Sequence, residues 1–197
     1  MNTRNLTLII ILAVILLFGG CACGRYNGMV TADQSVKTSW GNVEAQYQRR
    51  TDLYNSVIKV IEGSANFEKS TLTAVIQARA NATAVHVDVN DSASLGQFQR
   101  AQAQLSGSFS RLMAVAEAYP NLKTTQQFAD FQTNIAGTEN RINHARMEYN
   151  AAVNDYNLKV RTFPNNIFAG IFNFHQKPSY QANPGSENAP EIQFNIK

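Results

Sequence analysis

The sequence predicts an all-α protein: an elongated antiparallel four-helix bundle, running up-down-up-down, behind an N-terminal membrane anchor. Apolar residues recur in a 3-4 alternation over long segments, the pattern of helices that share a seam. Glycine and proline are scarce between residues 29 and 162, which disfavours a turn-rich β fold. With 197 residues, 44% of them apolar and 16% charged, the chain can bury a core.

The N-terminal stretch at residues 6–18 reads LTLIIILAVILLF and carries no charge. It is intermediate in length between the apolar region of a secretory signal and a spanning helix of about 20 residues. The following FGGC resembles the lipobox of bacterial lipoproteins, which makes Cys21 a candidate for lipid attachment; an uncleaved single-pass helix is the alternative. We predict that residues 1–25 form a signal, transmembrane or lipoprotein anchor. Arg4 on the leading side predicts that the body lies on the non-cytoplasmic face of a bacterial membrane.

The first body helix is predicted over residues 26–62, ending before Gly63. Its apolar seam is interrupted at two positions, by Asp33 and Arg50. The seam otherwise consists of Val36, Trp40, Val43, Tyr47, Tyr54, Val57 and Ile61.

Three further helices follow. The second is predicted over residues 65–84, and a loop at 85–94 breaks the period. Ser94 and Gln97 have capping-box spacing for the third helix, and Thr124 and Gln127 repeat it for the fourth, which extends to about Thr162. Because the first and fourth helices are longest, they should extend beyond the others as a two-helix stalk. Two helices alone cannot cover four-helix seams, so self-association through this stalk is expected.

The bundle domain is predicted at 26–174, followed by a flexible, proline-containing tail at 175–197. The end of the bundle domain reads FPNNIFAGIFNF and should return to the membrane side, because the number of helices is even. These apolar residues could plug the base of the bundle, lie on lipid or dock a partner. They are Phe163, Ile167, Phe168, Ile171, Phe172 and Phe174.

Catalytic and cofactor signatures are not found in the sequence. A net charge of +3, without a basic run interleaved with aromatics, argues against nucleic-acid binding. The histidines lack the helical spacing of a metal site, and no glycine-rich phosphate loop or GxSxG elbow occurs. We therefore predict no catalytic residues, no metal and no cofactor.

One set of charged residues stands apart from the solvated faces. Counted from the membrane-distal end, Arg50, Arg79 and Glu139 lie at nearly equal depth on the first, second and fourth helices, with Asp52 within one turn. We predict a polar layer in which Glu139 pairs with Arg50 or Arg79. Such a layer could fix helix register, form a ligand or catalytic site, or consist of solvent-facing charges.

Several short sequences, in this order and spacing, resemble the LemA family of bacterial membrane-associated proteins over roughly residues 26–174. They are GRYNGMV, Trp40, YQRRTDL, ARA, YPNLK, TENRINHARMEYN, YN and FPNNIFA. The resemblance implies an N-terminal membrane segment and a helical-bundle body of unestablished activity. Through a magnetosome-membrane relative, it also suggests a role in membrane organisation.

We predict a non-enzymatic, membrane-anchored envelope protein that acts as a scaffold or adaptor through its helical surfaces. Its expected partners are the membrane, further copies of itself and unidentified envelope proteins. One alternative is a ligand sensor or enzyme that uses the Arg50/Arg79/Glu139 layer. Another is an accessory factor of a membrane protease or secretion system.

Overall fold

The computed structural model describes residues 3–63, 68–119 and 125–181. Within these ranges the chain forms five helices and no strands, which confirms the all-α class. In chain order they are α1 (Thr3–Glu62), α2 (Lys69–Ala84), α3 (Ser92–Ala116), α4 (Gln126–Arg161) and α5 (Asn165–Phe172).

Helix α1 begins 23 residues earlier than the predicted body helix, at Thr3 instead of Tyr26. Its 60 residues correspond to about 90 Å. The adjacent Gly19 and Gly20 each cost roughly 1 kcal/mol relative to alanine, yet α1 continues through both. The apolar stretch therefore continues into the body without a break. Over the described residues, no helix combines the length and hydropathy needed to cross a bilayer. The side chain of Cys21 lies outside the described part.

Helix α3 begins at a different cap from the predicted one. The carboxylate of Asp91 accepts hydrogen bonds from the backbone N–H groups of Ala93 and Ser94, at 2.9 and 3.0 Å. The Ser94 hydroxyl donates to backbone carbonyls instead, so it does not cap the helix. Asp91 satisfies two of the N–H groups that a helix start leaves unpaired, and α3 starts two residues before Ser94.

Helix α1 packs along α4, and α2 packs against α3. The rings of Trp40 and Tyr149 lie 5.3 Å apart, and those of Tyr54 and Phe131 lie 6.4 Å apart. Residue numbers thus rise along α1 as they fall along α4. On the α3 side, Tyr54 stacks on Phe109 with ring centroids 3.8 Å apart. Aromatic contacts therefore join α1 to both α3 and α4.

Among the described residues, the buried core forms two clusters, separated at the level of Arg50, Gln102 and Thr138. The first cluster is nearer the N-terminal part of α1, and the second is nearer its C-terminal end. Large members of the first are Met29, Trp40, Tyr47, Phe98, Ile142, Tyr149 and Tyr156, and those of the second are Tyr54, Ile61, Leu105, Phe109, Leu112, Phe128 and Phe131.

The segment after α5 corrects two expectations. Residues 174–181, which we call the C-terminal segment, lie against the first cluster, with Lys177 and Tyr180 buried. The flexible tail predicted from residue 175 therefore does not begin there; residues 182–197 lie outside the described part. Tyr180 and the loop residue Val89 also cover the α1–α4 pair where a bare two-helix stalk was expected.

Candidate functional site

The centre of the molecule holds a buried arginine. Arg50 Nη1 donates to Glu139 Oε1 at 3.3 Å and to Ser106 Oγ at 3.1 Å, while Nη2 donates to Gln102 Oε1 at 2.5 Å. The Arg50 side chain is 5% exposed, whereas that of Glu139 is 43% exposed. The guanidinium carbon also lies 4.7 Å from the centre of the Tyr47 ring, within cation–π range. The structure thus joins Arg50 and Glu139, and it inserts this pair between the two core clusters.

Sequence reasoning missed Gln102, although a signal was present. The buried positions of α3 follow a 3-4 alternation through Leu95, Phe98, Leu105 and Phe109, which leaves one seam position between Phe98 and Leu105. Gln102 occupies that position and is 6% exposed. A polar residue in the seam of α1 and another in the seam of α3 therefore meet, as interior polar groups must pair to offset desolvation.

The other two predicted members of the layer lie elsewhere. Asp52 is exposed and accepts a hydrogen bond from Gln48 at 3.0 Å on its own helix. In the described structure, no hydrogen bond or ion pair joins the half-buried Arg79 to Glu139. Ala78 and Ala82 form the buried face of α2 beside it. The predicted four-residue layer is corrected to Arg50, Gln102, Ser106 and Glu139. Arg79 is displaced by about 100° around α2 from the buried Ala78, so its side chain has a different direction.

Open cavities flank this layer, and two of them are lined by Glu139. One of about 210 Å³ is lined by Arg50, Gln102, Glu139, Arg146 and Tyr180, among other residues. It carries two guanidinium groups and one carboxylate. The second, of about 540 Å³, lies beside the second core cluster and is mainly apolar. The first could hold a small polar molecule bearing a carboxylate, the group that arginine side chains prefer to bind.

Buried tyrosines around the first cluster are held neutral. Burial raises the pKa of Tyr149 and of Tyr156 to about 12. Burial also raises the pKa of Tyr47, whose hydroxyl lies 2.7 Å from that of Tyr180. The Tyr47 and Tyr149 hydroxyls therefore stay protonated at neutral pH and form hydrogen bonds, Tyr47 with Tyr180 and Tyr149 with the carbonyl of Pro178. In the described ranges, no cluster of three or more His, Cys, Asp or Glu side chains could hold a metal ion.

The aromatic segment at 163–174 has two faces. Phe168 and Ala169 are buried in the first core cluster, and Phe174 is half-buried against it. Four apolar side chains point outward, with exposed fractions of 80, 50, 64 and 41%; they are Phe163, Ile167, Ile171 and Phe172. One face therefore closes the base of the helical body, while the other offers an apolar surface to solvent.

This surface lies next to α1. The Tyr26 ring lies 5.0 Å from that of Phe172 and 5.7 Å from that of Phe174, both edge-on. Tyr26 follows the last residue of the N-terminal apolar stretch, Phe18, by eight residues, or about 12 Å of helix. Helix α5 is therefore located close to the end of the candidate anchor.

A family model described as the LemA family matches residues 39–194. The chain belongs to the LemA family. This confirms the resemblance seen in the sequence, and the match includes the polar layer, α5 and the C-terminal segment.

Curated proteins similar to this LemA-family chain share about a quarter of its residues. Magnetosome proteins MamQ 1 and MamQ 2 of Paramagnetospirillum magneticum (strain ATCC 700264 / AMB-1) are each 25% identical to it over 182 residues, covering 83% of this chain and 67% of the relative. The protein LemA of Metamycoplasma hominis is 24% identical over 159 residues, covering 81% of this chain and 70% of the relative.

Proposed function

We propose that this LemA-family chain is a membrane-anchored, non-enzymatic protein of the bacterial envelope that acts as a scaffold or adaptor through its helical surfaces. In this proposal α1–α4 form an antiparallel up-down-up-down bundle, and its body lies on the non-cytoplasmic face. The observation that carries the proposal is the exposed apolar face of α5 beside the N-terminal part of α1. The magnetosome proteins among its relatives support a place in membrane organisation.

Helix α5 has the properties of an interfacial helix. The apolar stretch at residues 6–18 corresponds to about 20 Å of helix, about 10 Å less than the hydrocarbon core of a bilayer. If the stretch begins at one side of that core, a point about 12 Å beyond its end reaches the headgroup layer on the other side, where interfacial helices bind. Arg161 in the last turn of α4 and Arg25 on α1 add positive charge at this end of the helical body, whereas Lys159 is paired with Asp155 at 2.9 Å. This combination fits a surface of anionic lipid, which basic residues next to a buried apolar face recognise.

Liposome flotation tests this contact. A chain beginning at Tyr26 removes the contribution of the anchor and should float with vesicles that contain anionic lipid. Replacing Phe163, Ile167 and Ile171 by serine should abolish flotation, because it removes the outward apolar face and leaves Phe168 in the core. A matched control replaces two exposed apolar residues elsewhere, Ile76 and Met147, by serine and should still float. Equal flotation of all three chains would remove lipid contact from the proposal.

The mode of anchoring has its own test. Mass spectrometry of the mature protein would detect diacylglyceryl addition at Cys21 if the lipoprotein alternative holds, and an intact Met1 if the helix is uncleaved. In either case, protease added outside intact spheroplasts should digest the body. Protection from protease would contradict the proposed orientation.

The scaffold role has a separate test. Crosslinking of the full chain in native membranes, followed by pull-down, should capture the same envelope protein reproducibly. The α5 serine variant should still capture it, because the partner is proposed to bind the sides of the bundle. A chain that crosslinks only to lipid would contradict a scaffold role.

A second candidate is the sensing of a small carboxylate, favoured by the cavity between Arg50 and Arg146. A ligand that binds only the folded chain stabilises it by RT ln(1 + L/Kd), where L is the ligand concentration, so the melting temperature rises with that concentration. Millimolar small carboxylates should therefore raise the Tm of the parent chain but not that of Arg146→Gln. An unchanged Tm across such a panel would discard this candidate.

A further inference from the structure

The C-terminal segment, residues 174–181, is held along α4 by two asparagine side chains. Asn157 accepts a hydrogen bond from Lys177 N at 2.8 Å and donates to Lys177 O at 2.9 Å. Asn150 does the same for Tyr180, at 2.8 and 3.0 Å. Each amide thus pairs both backbone groups of one residue, as a neighbouring β-strand would. The bonds recognise an extended backbone rather than particular side chains.

The spacing of these contacts matches along both elements. Asn150 and Asn157 are seven residues apart on α4, or about 10.5 Å. Lys177 and Tyr180 are three residues apart, or about 10 Å in extended chain. Between them, the carbonyl of Pro178 accepts a hydrogen bond from the Tyr149 hydroxyl at 3.0 Å. Each asparagine directly follows a buried tyrosine, so α4 carries the same Tyr-Asn pair twice, seven residues apart. In each pair the tyrosine packs in the core and the asparagine bonds the backbone of the segment.

The side chain of Lys177 occupies an acidic slot. Its ammonium lies 2.8 Å from Asp33 Oδ1, donates to Asn90 Oδ1, and is 5.0 Å from the centre of the Tyr156 ring. The side chain is 1% exposed. An ammonium group taken out of water in this way must be paired, and the slot supplies a carboxylate, an amide oxygen and an aromatic face.

A second slot holds the side chain of Tyr180. Its hydroxyl lies 2.7 Å from that of Tyr47, and its ring is covered by the Arg146 guanidinium, 3.9 Å from the ring centre. Tyr180 is 7% exposed. The two slots therefore select lysine and tyrosine three positions apart, on a backbone that Asn150 and Asn157 hold extended.

We propose that the groove formed by α1, α4 and the 85–91 loop is a binding site for an extended Lys-x-x-Tyr peptide, and that its partner ligand is the C-terminal segment of a second copy of this chain. Within this chain, Lys-x-x-Tyr occurs at Lys177 and Tyr180, the residues that fill both slots. None of its contacts requires it to belong to the same chain. Exchange of the segment would link one copy to the next.

The connection between α5 and the segment permits this exchange. Asn173 ends α5 in the left-handed region, at φ 61°, a conformation that asparagine tolerates. The backbone N–H of Phe174 donates to Ala169 O at 2.9 Å, so Phe174 stays with α5 in the proposed exchange and residues 175–181 leave the groove. In dilute solution the chain's own segment occupies the groove, because its effective concentration is high, and crowding of copies favours exchange. This inference is independent of lipid contact by α5, so its failure would leave the flotation result unaffected.

A mixture of two complementary full-length variants tests the exchange. The first, Lys177→Ala with Tyr180→Ala, keeps the groove and loses the segment. The second, Asn150→Ala with Asn157→Ala, keeps the segment and removes the four hydrogen bonds by which α4 holds its backbone; we call it the groove-deficient variant. Size exclusion with light scattering should show a 1:1 complex in the mixture and the single-copy mass for each variant alone. A mixture without the complex, or the same complex formed by the groove-deficient variant alone, would overturn the proposal.

A peptide titration tests the same site without the groove-deficient variant, so it remains valid if that variant does not fold. A fluorescent peptide of residues 173–181 is titrated into the Lys177→Ala, Tyr180→Ala chain, and anisotropy is measured. Binding should saturate. The affinity should fall at least about tenfold when the peptide carries the same two alanines. One alanine removes the ammonium group that pairs with Asp33, and the other removes the ring and hydroxyl that contact Arg146 and Tyr47. Equal affinity of both peptides, or no binding by either, would reject a Lys-x-x-Tyr site.

Discussion

Replacing Arg50 by methionine removes the guanidinium but keeps an unbranched stem in the seam. The main cost comes from Gln102, whose buried Oε1 loses its 2.5 Å partner; an unsatisfied buried acceptor costs about 1–3 kcal/mol. Glu139 contributes less, under about 1 kcal/mol, because its side chain is 43% exposed and water replaces the lost partner. We expect Arg50→Met to lower the free energy of unfolding by about 1–3 kcal/mol.

The double variant Arg50→Met with Gln102→Leu should recover most of this loss. Replacing both members of a buried polar pair by apolar residues of similar size is often neutral or stabilising. The two substitutions should therefore be non-additive by about 1–3 kcal/mol. Arg79→Met is the matched control, since Arg79 has the same predicted depth but no bond to the layer, and it should change stability by less than about 0.5 kcal/mol.

Urea unfolding of the full chain in detergent, followed by circular dichroism, measures these differences. With a slope of about 2 kcal/mol per molar urea, a loss of about 2 kcal/mol lowers the midpoint by about 1 M. Additive effects in the double variant would show that Arg50 and Gln102 are not energetically coupled. A loss at Arg79 equal to that at Arg50 would refute the corrected composition of the layer.

Further predictions concern the first core cluster and the second. Burial alone would raise the pKa of Asp33, but hydrogen bonds from Lys177 and Lys37 outweigh it and hold the pKa below its ordinary value. The stability that Asp33 contributes is thus present above about pH 4 and lost as pH falls further; urea midpoints from pH 6 to 3 should drop more for the parent than for Asp33→Asn. Alkaline titrations of the parent and of Tyr156→Phe, followed by absorbance at 295 nm, should differ by one phenol that ionises near pH 12. A difference of one phenol that ionises near pH 10 would contradict the effect of burial on this tyrosine. Leu105→Ala, at a fully buried site, should cost about 2–5 kcal/mol in urea unfolding, and a loss below 1 kcal/mol would show that the second cluster is loosely packed.

The sequence predicts the level of the polar layer because straight helices convert residue counts into distance. Counting from the helix ends gives Arg50 and Glu139 the same depth, and the structure places them 3.3 Å apart. The same count fails for Arg79, since depth says nothing of direction around a helix. Its neighbour Ala78 faces the core, and one residue further turns the side chain by about 100°.

The C-terminal segment could not be predicted from its composition. Residues 174–181 are polar and contain a proline, which is typical of a flexible tail. Their order depends on Asn150 and Asn157, whose significance appears only when α4 and the segment are known to run side by side. The heptad repeat of the Tyr-Asn pair is visible in the sequence, but the pattern alone gives no partner for the asparagine amides.

Depth-dependent fluorescence quenching tests most directly whether the base of the helical body rests on the membrane. The full chain carrying Ile167→Trp, or Met147→Trp as the control, is reconstituted into vesicles that contain brominated lipid. The parent, whose lone Trp40 is buried in the protein core, supplies the baseline. We predict strong quenching of the tryptophan at position 167 and none at position 147, which lies 14 residues before the end of α4, or about 21 Å of helix further from the base. Equal quenching at both positions, or none at 167, would contradict a membrane-facing α5.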